Sequence, residues 1–172
     1  MKIRIDNLTP KEKYKISEWK SDRAISKMIM SQFKKTNIFQ AEKWIIKNSN
    51  DTNQKLFGIY LYSNDEKLIG ISRLMFIDFE SLVAELGIYI GEKKLQNKGY
   101  GSIALKKTIE YGFNILKLNK IYLKVLESNQ RAINLYSKNN FEIEGCLKDH
   151  SCNEKKFEDV IYMSIFKKDF KK

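Results

Sequence analysis

Six residues, Gln96-Asn97-Lys98-Gly99-Tyr100-Gly101, have the types and spacing to hold a phosphate or pyrophosphate. They lie between an apolar, β-type run at residues 84–90 and a helical run at 102–116. A turn of this kind leaves several backbone N–H groups unpaired at the positive end of a helix, where they attract an anion. Glycine at 99 and 101 keeps side chains out of a ligand's way and allows φ > 0 where the turn needs it. Taken alone, the six residues also fit an ordinary strand-to-helix connection. Other chemistries find less support. The Gly-Lys-Ser/Thr ending of a Walker loop is absent, which disfavours phosphoryl transfer. His150 is the only histidine, so neither a histidine-based triad nor a multi-histidine metal centre is expected. Cys146 and Cys152 are the only cysteines and have no second pair to complete a zinc site. They read as free thiols of a reducing cytoplasm, and no metal is expected.

A chain of 172 residues suffices for one domain with a full core and is short for two, so residues 1–172 read as a single domain. No apolar run approaches the roughly 18 residues of a membrane span. Charges in Met1-Lys2-Ile3-Arg4-Ile5-Asp6 occupy the place where the apolar centre of a secretory signal would lie. A cytoplasmic location without a membrane partner is therefore expected. The net charge of +11 is uneven: residues 1–50 carry 12 basic and 5 acidic groups, residues 51–90 carry 3 and 6, and residues 91–172 carry 17 and 10. Two basic flanks around a mildly acidic middle favour an anionic ligand, such as a nucleotide-bearing cofactor, a phosphorylated substrate or RNA. A lysine-rich solvated surface is the plainer reading. No aromatic-and-basic signature accompanies the charge, so no stable nucleic-acid partner is expected.

The elements that must position the glycine turn follow from hydrophobic period. Residues 2–7 alternate like a strand. Thr9 and Pro10 then start a helix, with a hydroxyl at the cap and proline in first place. Tyr14, Ile16, Trp19, Ile25 and Met28 suggest one helix or two short ones through about Met30. A polar, basic loop at 31–37 leads to a helix near 39–48. Strands follow at 56–62 and 68–77, joined by a turn at Ser63-Asn64-Asp65-Glu66, and a third at 82–90, as an antiparallel meander. After the glycine turn, Ile103, Ile109, Phe113 and Leu116 mark the buried side of a helix. Residues 121–126 form a strand, Ser128 caps a helix reaching Asn140, and strands at 141–147 and 160–166 finish the sheet. The order β-α-α-β-β-β-α-β-α-β-β predicts an α/β (α+β) fold, a mixed seven-stranded sheet with helices on its faces.

That order, with Gln-x-x-Gly-x-Gly after the fourth strand, resembles the GNAT superfamily of acetyl-CoA-dependent N-acetyltransferases. Ala84-Glu85-Leu86-Gly87-Ile88-Tyr89-Ile90-Gly91 is similar to the fourth strand of the branch that acetylates ribosomal-protein N-termini. So is Leu135-Tyr136-Ser137-Lys138-Asn139-Asn140-Phe141-Glu142-Ile143-Glu144-Gly145. Lys120-Ile121-Tyr122-Leu123-Lys124-Val125, followed by Asn129 and Leu135-Tyr136, is similar to bacterial spermidine N-acetyltransferases. The likeness covers nearly the whole chain and is strongest over 84–147. It implies a largely antiparallel sheet whose fourth and fifth strands splay apart, with acetyl-CoA as co-substrate. Main-chain amides of Gln96, Asn97, Lys98, Gly99, Tyr100 and Gly101 would wrap the pyrophosphate. The pantetheine arm would pair with the fourth strand along Leu86, Gly87 and Ile88, with Gly87 allowing close approach. Asn129 would contact CoA, or else serve as a second cap or first-turn residue of its helix.

The resemblance also implies catalytic roles. A primary amine has a pKa of roughly 10.4 when lysine-like, so a base must take a proton before it attacks a thioester. Glu85 is the candidate, on one strand face with Val83, Gly87 and Tyr89, where apolar neighbours would raise its pKa. A structural glutamate paired to a lysine is the alternative, and Glu127 is the reserve base. Tyr136 matches the family's tyrosine whose hydroxyl points at the CoA sulfur as general acid; a core aromatic between Ile133 and Phe141 is its other reading. The acceptor is open among a nucleotide-linked amino sugar, a protein N-terminus and a polyamine. Ser31-Gln32-Phe33-Lys34-Lys35-Thr36-Asn37 lacks the carboxylates that a polyamine would want, which favours a phosphate-bearing acceptor. A non-catalytic binder of acyl-CoA or RNA on the same fold is the competing class. Exposed strand edges would allow a homodimer.

Overall fold

Thr9 fixes where the first helical turn begins. Its side chain accepts a hydrogen bond from the Lys11 amide, and the Glu12 carboxylate accepts one from the Thr9 amide at 2.9 Å. This reciprocal cap, with Pro10 in first place, starts a 3-10 turn at Pro10–Glu12 that runs into α1, Lys13–Lys20. The computed structural model describes residues 3–62, 66–153 and 156–170; of the turn expected at Ser63 to Glu66, residues 63–65 lie outside them, as do residues 154–155 of the last hairpin. The helical stretch expected through Met30 divides in two. Asp22 leaves helical geometry and its carboxylate accepts from the Ala24 and Ile25 amides, so α2, Arg23–Met28, starts afresh. Asn37 and Gln40 cap α3, Ile38–Ser49, in the same reciprocal way.

Seven strands form one sheet: β1 Ile3–Asn7, β2 Lys55–Leu61, β3 Lys67–Asp78, β4 Val83–Ile90, β5 Lys120–Leu126, β6 Glu142–Asn153 and β7 Lys156–Phe166. Their spatial order is β1-β2-β3-β4-β5-β7-β6, and every neighbouring pair is antiparallel except β4 with β5. The remaining helices are α4, Tyr100–Asn114, and α5, Gln130–Ser137. Two local expectations shift. The cap of α5 is Asn129, whose side chain accepts from the Ala132 amide at 3.2 Å, whereas Ser128 turns its hydroxyl to Glu158. The helix also stops at Ser137, because the chain turns left-handed at Asn140 (φ 65°). The final hairpin extends beyond the expected 141–147 and 160–166. Its outer part, Lys148 to Asn153, is polar on both faces and pairs across an irregular register between Leu147 and Ser151, so no alternation marks it.

The sheet buries both faces, unequally. On one, α4 and α5 cover Leu74, Leu86, Ile121, Leu123 and Met163 with Leu105, Ile109, Phe113 and Tyr136. On the other, α1, α2 and α3 bring Ile16, Trp19, Ile25, Ala41 and Ile45 onto Leu56, Tyr60 and Ile71. Truncating a fully buried Phe113 to alanine would cost about 3–5 kcal/mol, cavity included. The second group covers β2 and β3 and ends at Tyr89 of β4. Beyond it, Glu85, Tyr122, Lys124 and Tyr162 lie half-buried on the same face. Among the described residues no helix is long and apolar enough to cross a membrane.

Candidate active site

β4 and β5 run parallel for only three residue pairs, Val83 with Lys120, Ala84 with Ile121 and Glu85 with Tyr122. Past these they diverge, while β4 stays paired to β3 through Ile90 and β5 stays paired to β7 through Leu126. One edge of β4, from Leu86 to Ile90, therefore has no strand beside it. A cleft of about 670 Å³ opens there, with Ile88, Tyr89 and Ile90 on one wall and Lys124 and Val125 on the other. An open strand edge inside a cleft offers N–H and C=O groups at a regular spacing to an extended ligand.

The glycine turn closes one end. The Gln96 side-chain amide donates to the Ile90 carbonyl at 2.8 Å, which ties the turn to the tip of β4. Asn97 (φ 63°) and Gly99 (φ 81°) are left-handed, and Gly99 is the N-cap of α4 without a capping side chain. Ser102 and Ile103 send their amides back to the Gly99 carbonyl, but the five amides of residues 97–101 find no acceptor among the described residues. Five free donors at the N-terminus of a fifteen-residue helix make an anion site. A side chain at Gly101 would meet Leu135 and Ile90 at the ordinary distances of 3.8 and 3.9 Å, so the protein itself leaves room for one.

Of the residues singled out in the sequence, Ile88, Gln96, Asn97, Gly99, Gly101, Asn129 and Tyr136 line this cleft. Lys98 is exposed, and Tyr100 packs under Ile3 and Ile59; both bring amides to the turn while their side chains lie elsewhere. Leu86 is buried toward α4. Asn129 caps α5 with its side-chain oxygen, and the residue also lines the cleft. Tyr136 sits in the core 5.7 Å from the Phe141 ring, it lines the cleft, and burial pushes its hydroxyl up to about 12. No hydrogen bond of that hydroxyl appears among the described residues, and it is not one of the polar atoms sealed from solvent, so it opens on the cleft.

Glu85 does not have the apolar surroundings expected of it. It shares its sheet face with Arg73 of β3 and with Tyr122 and Lys124 of β5, and Lys124 Nζ stands 2.9 Å from its Oε2. The angle leaves that oxygen without an aligned hydrogen bond. Burial opposes the charge of Lys124, yet bonding to Glu85 and Tyr162 holds its ammonium above lysine's usual range. The Tyr122 hydroxyl is raised by burial and then by Glu85. At Gly87 a Cβ would stand 3.3 Å from Met75 and 3.4 Å from Arg73 Nε, both on β3. Glu127 stands apart, in a second pocket of about 410 Å³ with Asp149, Glu158 and Asp159. Sequence reasoning missed Arg73, although it is the only charged residue within the apolar run 68–77.

Known proteins share the fold that carries this site. The model of the acetyltransferase (GNAT) domain matches residues 2–142. The uncharacterized N-acetyltransferase p20 of Bacillus licheniformis is 35% identical over 114 residues, 66% of this chain and 63% of that protein, so the match spans less than two thirds of its length. The acetyltransferase PseH of Campylobacter jejuni is 30% identical over 134 residues, 72% of this chain and 80% of that one. A spermidine N-acetyltransferase from Vibrio cholerae, solved in complex with CoA and spermine, superposes with a TM-score of 0.90 at 25% identity, over 97% of this chain and 96% of that one. With its splayed parallel strands, its amide-lined turn and these kinships, the chain belongs to the GNAT superfamily of acetyl-CoA-dependent N-acetyltransferases.

Proposed function

We propose that residues 1–172 act as one enzyme domain that moves the acetyl group of acetyl-CoA directly to a primary amine, with Glu85 as general base and Tyr136 as general acid. The observation that carries this reading is the open edge of β4 leading into five unpaired amides at residues 97–101. The turn suits a diphosphate and the strand edge suits an extended amide-bearing arm, which are the two ends of the pantetheine-diphosphate unit. The co-substrate supplies an activated thioester when bound. Backbone N–H groups on the free edge of β4 could hold the developing oxyanion. Tyr136 remains protonated throughout the neutral range, because its hydroxyl is held near 12, and so keeps a proton for the departing sulfur. Glu85, with or without an intervening water, would take a proton from the acceptor on the helix-free part of the sheet.

A thiol-release assay with acetyl-CoA and pooled amino sugars, polyamines and peptides tests the reading. Steady release with at least one pool supports it. CoA binding by calorimetry with no release from any pool would leave a non-catalytic acyl-CoA binder, and RNA binding in the same preparation would favour an RNA module. A nucleotide-linked amino sugar or a protein N-terminus fits the basic surface best. A polyamine is the second reading, favoured by the spermine-bound neighbour. The carboxylates it would want gather in the second pocket, where Glu158 already holds Ser128 and Lys27 and Asp159 holds Lys148. The enzyme would work in the cytoplasm, and the outer edge of β6, with Ile143 60% exposed, would allow a homodimer.

A further inference from the structure

Arg73 is a cation with no ion-pair partner among the described residues, although the Glu85 carboxylate acts on it from the same sheet face. It lies on β3 directly opposite Gly87, and its side chain runs across that glycine, with Nε 3.4 Å and Cγ 3.5 Å from where a Cβ would be. A Cβ at 87 would rest against the arginine at ordinary contact distance, so the glycine keeps a lane uncrowded for the guanidinium. Glu85 and Tyr89 flank the lane on the same face of β4. Among the described residues Arg73 makes no hydrogen bond and no ion pair. The nearby carboxylate, Glu85, is already engaged by Lys124 at 2.9 Å.

A second cation stands close. Lys20, from α1, has its pKa lowered by burial and further by Arg73, and its ammonium rests over the Trp44 ring at 4.6 Å with no carboxylate paired to it among the described residues. Burial likewise lowers the pKa of Arg73, with Tyr89 and Glu85 opposing. A guanidinium presents five donors in a planar fork and stays charged, so a half-buried one with no partner is poorly satisfied by the protein alone. Arg73, Lys20 and Glu85 do not themselves line the cleft; the spot adjoins it through Tyr89 and Lys124, which belong to its walls. Carboxylates and phosphates are the groups whose oxygens match that fork two at a time.

We propose that Arg73 determines acceptor specificity, and that the amine acetylated by this enzyme carries a carboxylate or phosphate that the guanidinium grips. This rests on the acetyltransferase reading, with Glu85 as the group nearest the amine. Positions two apart on a strand face are separated by roughly 7 Å. Arg73 sits opposite Gly87, two residues from Glu85, so the acceptor holds its anionic oxygens within about that distance of its amine. Such a molecule differs in kind from a polyamine, which would bring a second cation to Arg73 and Lys20.

Matched acceptor pairs test this, with thiol release from acetyl-CoA as the readout: glucosamine against glucosamine 6-phosphate for phosphate, and glycinamide against glycine for carboxylate, with spermidine alongside. In one pair the anionic member should be favoured in kcat/KM by roughly tenfold or more, the worth of one charged hydrogen-bonded contact. Arg73→Gln should bring that ratio close to one, chiefly by raising KM for the anionic member, and Arg73→Lys should keep part of it. CoA binding to each variant reports that it folds. Equal ratios in the native enzyme and Arg73→Gln, or spermidine as the preferred acceptor in both, would overturn the inference while leaving acetyl transfer in place. If no amine releases thiol, the acetyltransferase reading itself fails, and a binding measurement decides the inference. With CoA saturating the glycine turn, inorganic phosphate titrated against the fluorescence of Trp19 and Trp44 should bind the native protein at least tenfold more tightly than Arg73→Gln. Equal binding overturns the proposal.

Discussion

The two sides of β4 present different kinds of group. Along its free edge and at the turn beyond it, the groups on offer are main-chain: strand N–H and C=O groups from Leu86 to Ile90, then the amides of 97–101. On the sheet face turned toward α1, they are side chains drawn from three strands and a helix: Arg73, Glu85, Lys124 and Lys20. Main-chain groups recognise a backbone-like arm and a diphosphate, which do not vary between acetyl donors. Side chains can be exchanged one at a time without disturbing the sheet, so the acceptor side is where specificity can change. Substitutions on the edge should therefore alter donor kinetics, and substitutions on the face should alter acceptor kinetics.

The sharpest test of that division is Tyr136→Phe. The hydroxyl has no partner among the described residues and faces the cleft, so removing it leaves packing intact while deleting the proposed acid. Turnover should fall roughly 10²- to 10⁴-fold, the usual range for a general acid, with CoA affinity by calorimetry nearly unchanged. Unchanged turnover would remove Tyr136 as the acid. Glu85→Gln should lower kcat/KM for the acceptor by about 10²-fold near pH 7 and leave CoA binding alone. Raising the pH toward that of the free amine should recover much of the loss, because the substrate then arrives already deprotonated. A Glu85 that merely holds Lys124 in place predicts instead that Lys124→Met is equally damaging and that high pH rescues neither.

The two glycines of the turn separate donor binding from backbone strain. Gly101→Val places its side chain against the cleft, where the protein has room, so stability should hold while KM for acetyl-CoA rises about tenfold, or 1.4 kcal/mol. Gly99→Val has nothing within 4 Å to clash with, yet it must adopt a φ of 81°, which costs roughly 1–2 kcal/mol of stability. Thermal unfolding without ligand should therefore distinguish the pair, and equal melting temperatures would contradict the difference.

The same division explains what could be read from the chain alone. The turn at 96–101 is local: glycine spacing, the strand before it and the helix after it are contiguous, so its form was legible. Glu85 was placed on the correct strand face by alternation alone. Its neighbours were not legible, because Lys124 and Arg73 reach it only through the pairing of β5 and β3 with β4, a long-range fact that no local pattern encodes. The cap of α5 went to Asn129, not Ser128, because both residues can cap and Glu158, distant in sequence, takes the serine hydroxyl. The outer hairpin of β6 and β7 was missed because a strand that is polar on both faces carries no period to detect.

The smallest effect expected is an alkaline one, and it bears on whether Tyr136 belongs to the core as well as to the cleft. Burial raises its hydroxyl from about 10 to about 12, so the folded protein favours the neutral phenol. Below pH 10 the phenol is neutral in both folded and unfolded chains, and the shift changes nothing. Between pH 10 and 12 it ionises in the unfolded chain but not in the folded one, so stability falls by up to about 2–3 kcal/mol before levelling off above the folded value. Other buried tyrosines, Tyr60 and Tyr89 among them, lose stability in the same direction, and so the measurement must be a difference. Denaturant unfolding of the native protein and of Tyr136→Phe at pH 9 and pH 11 provides it. The variant should lose less stability across that interval. An equal loss would mean that contact with the water of the cleft, and not burial of the ring at 8% exposure, governs the hydroxyl's ionisation.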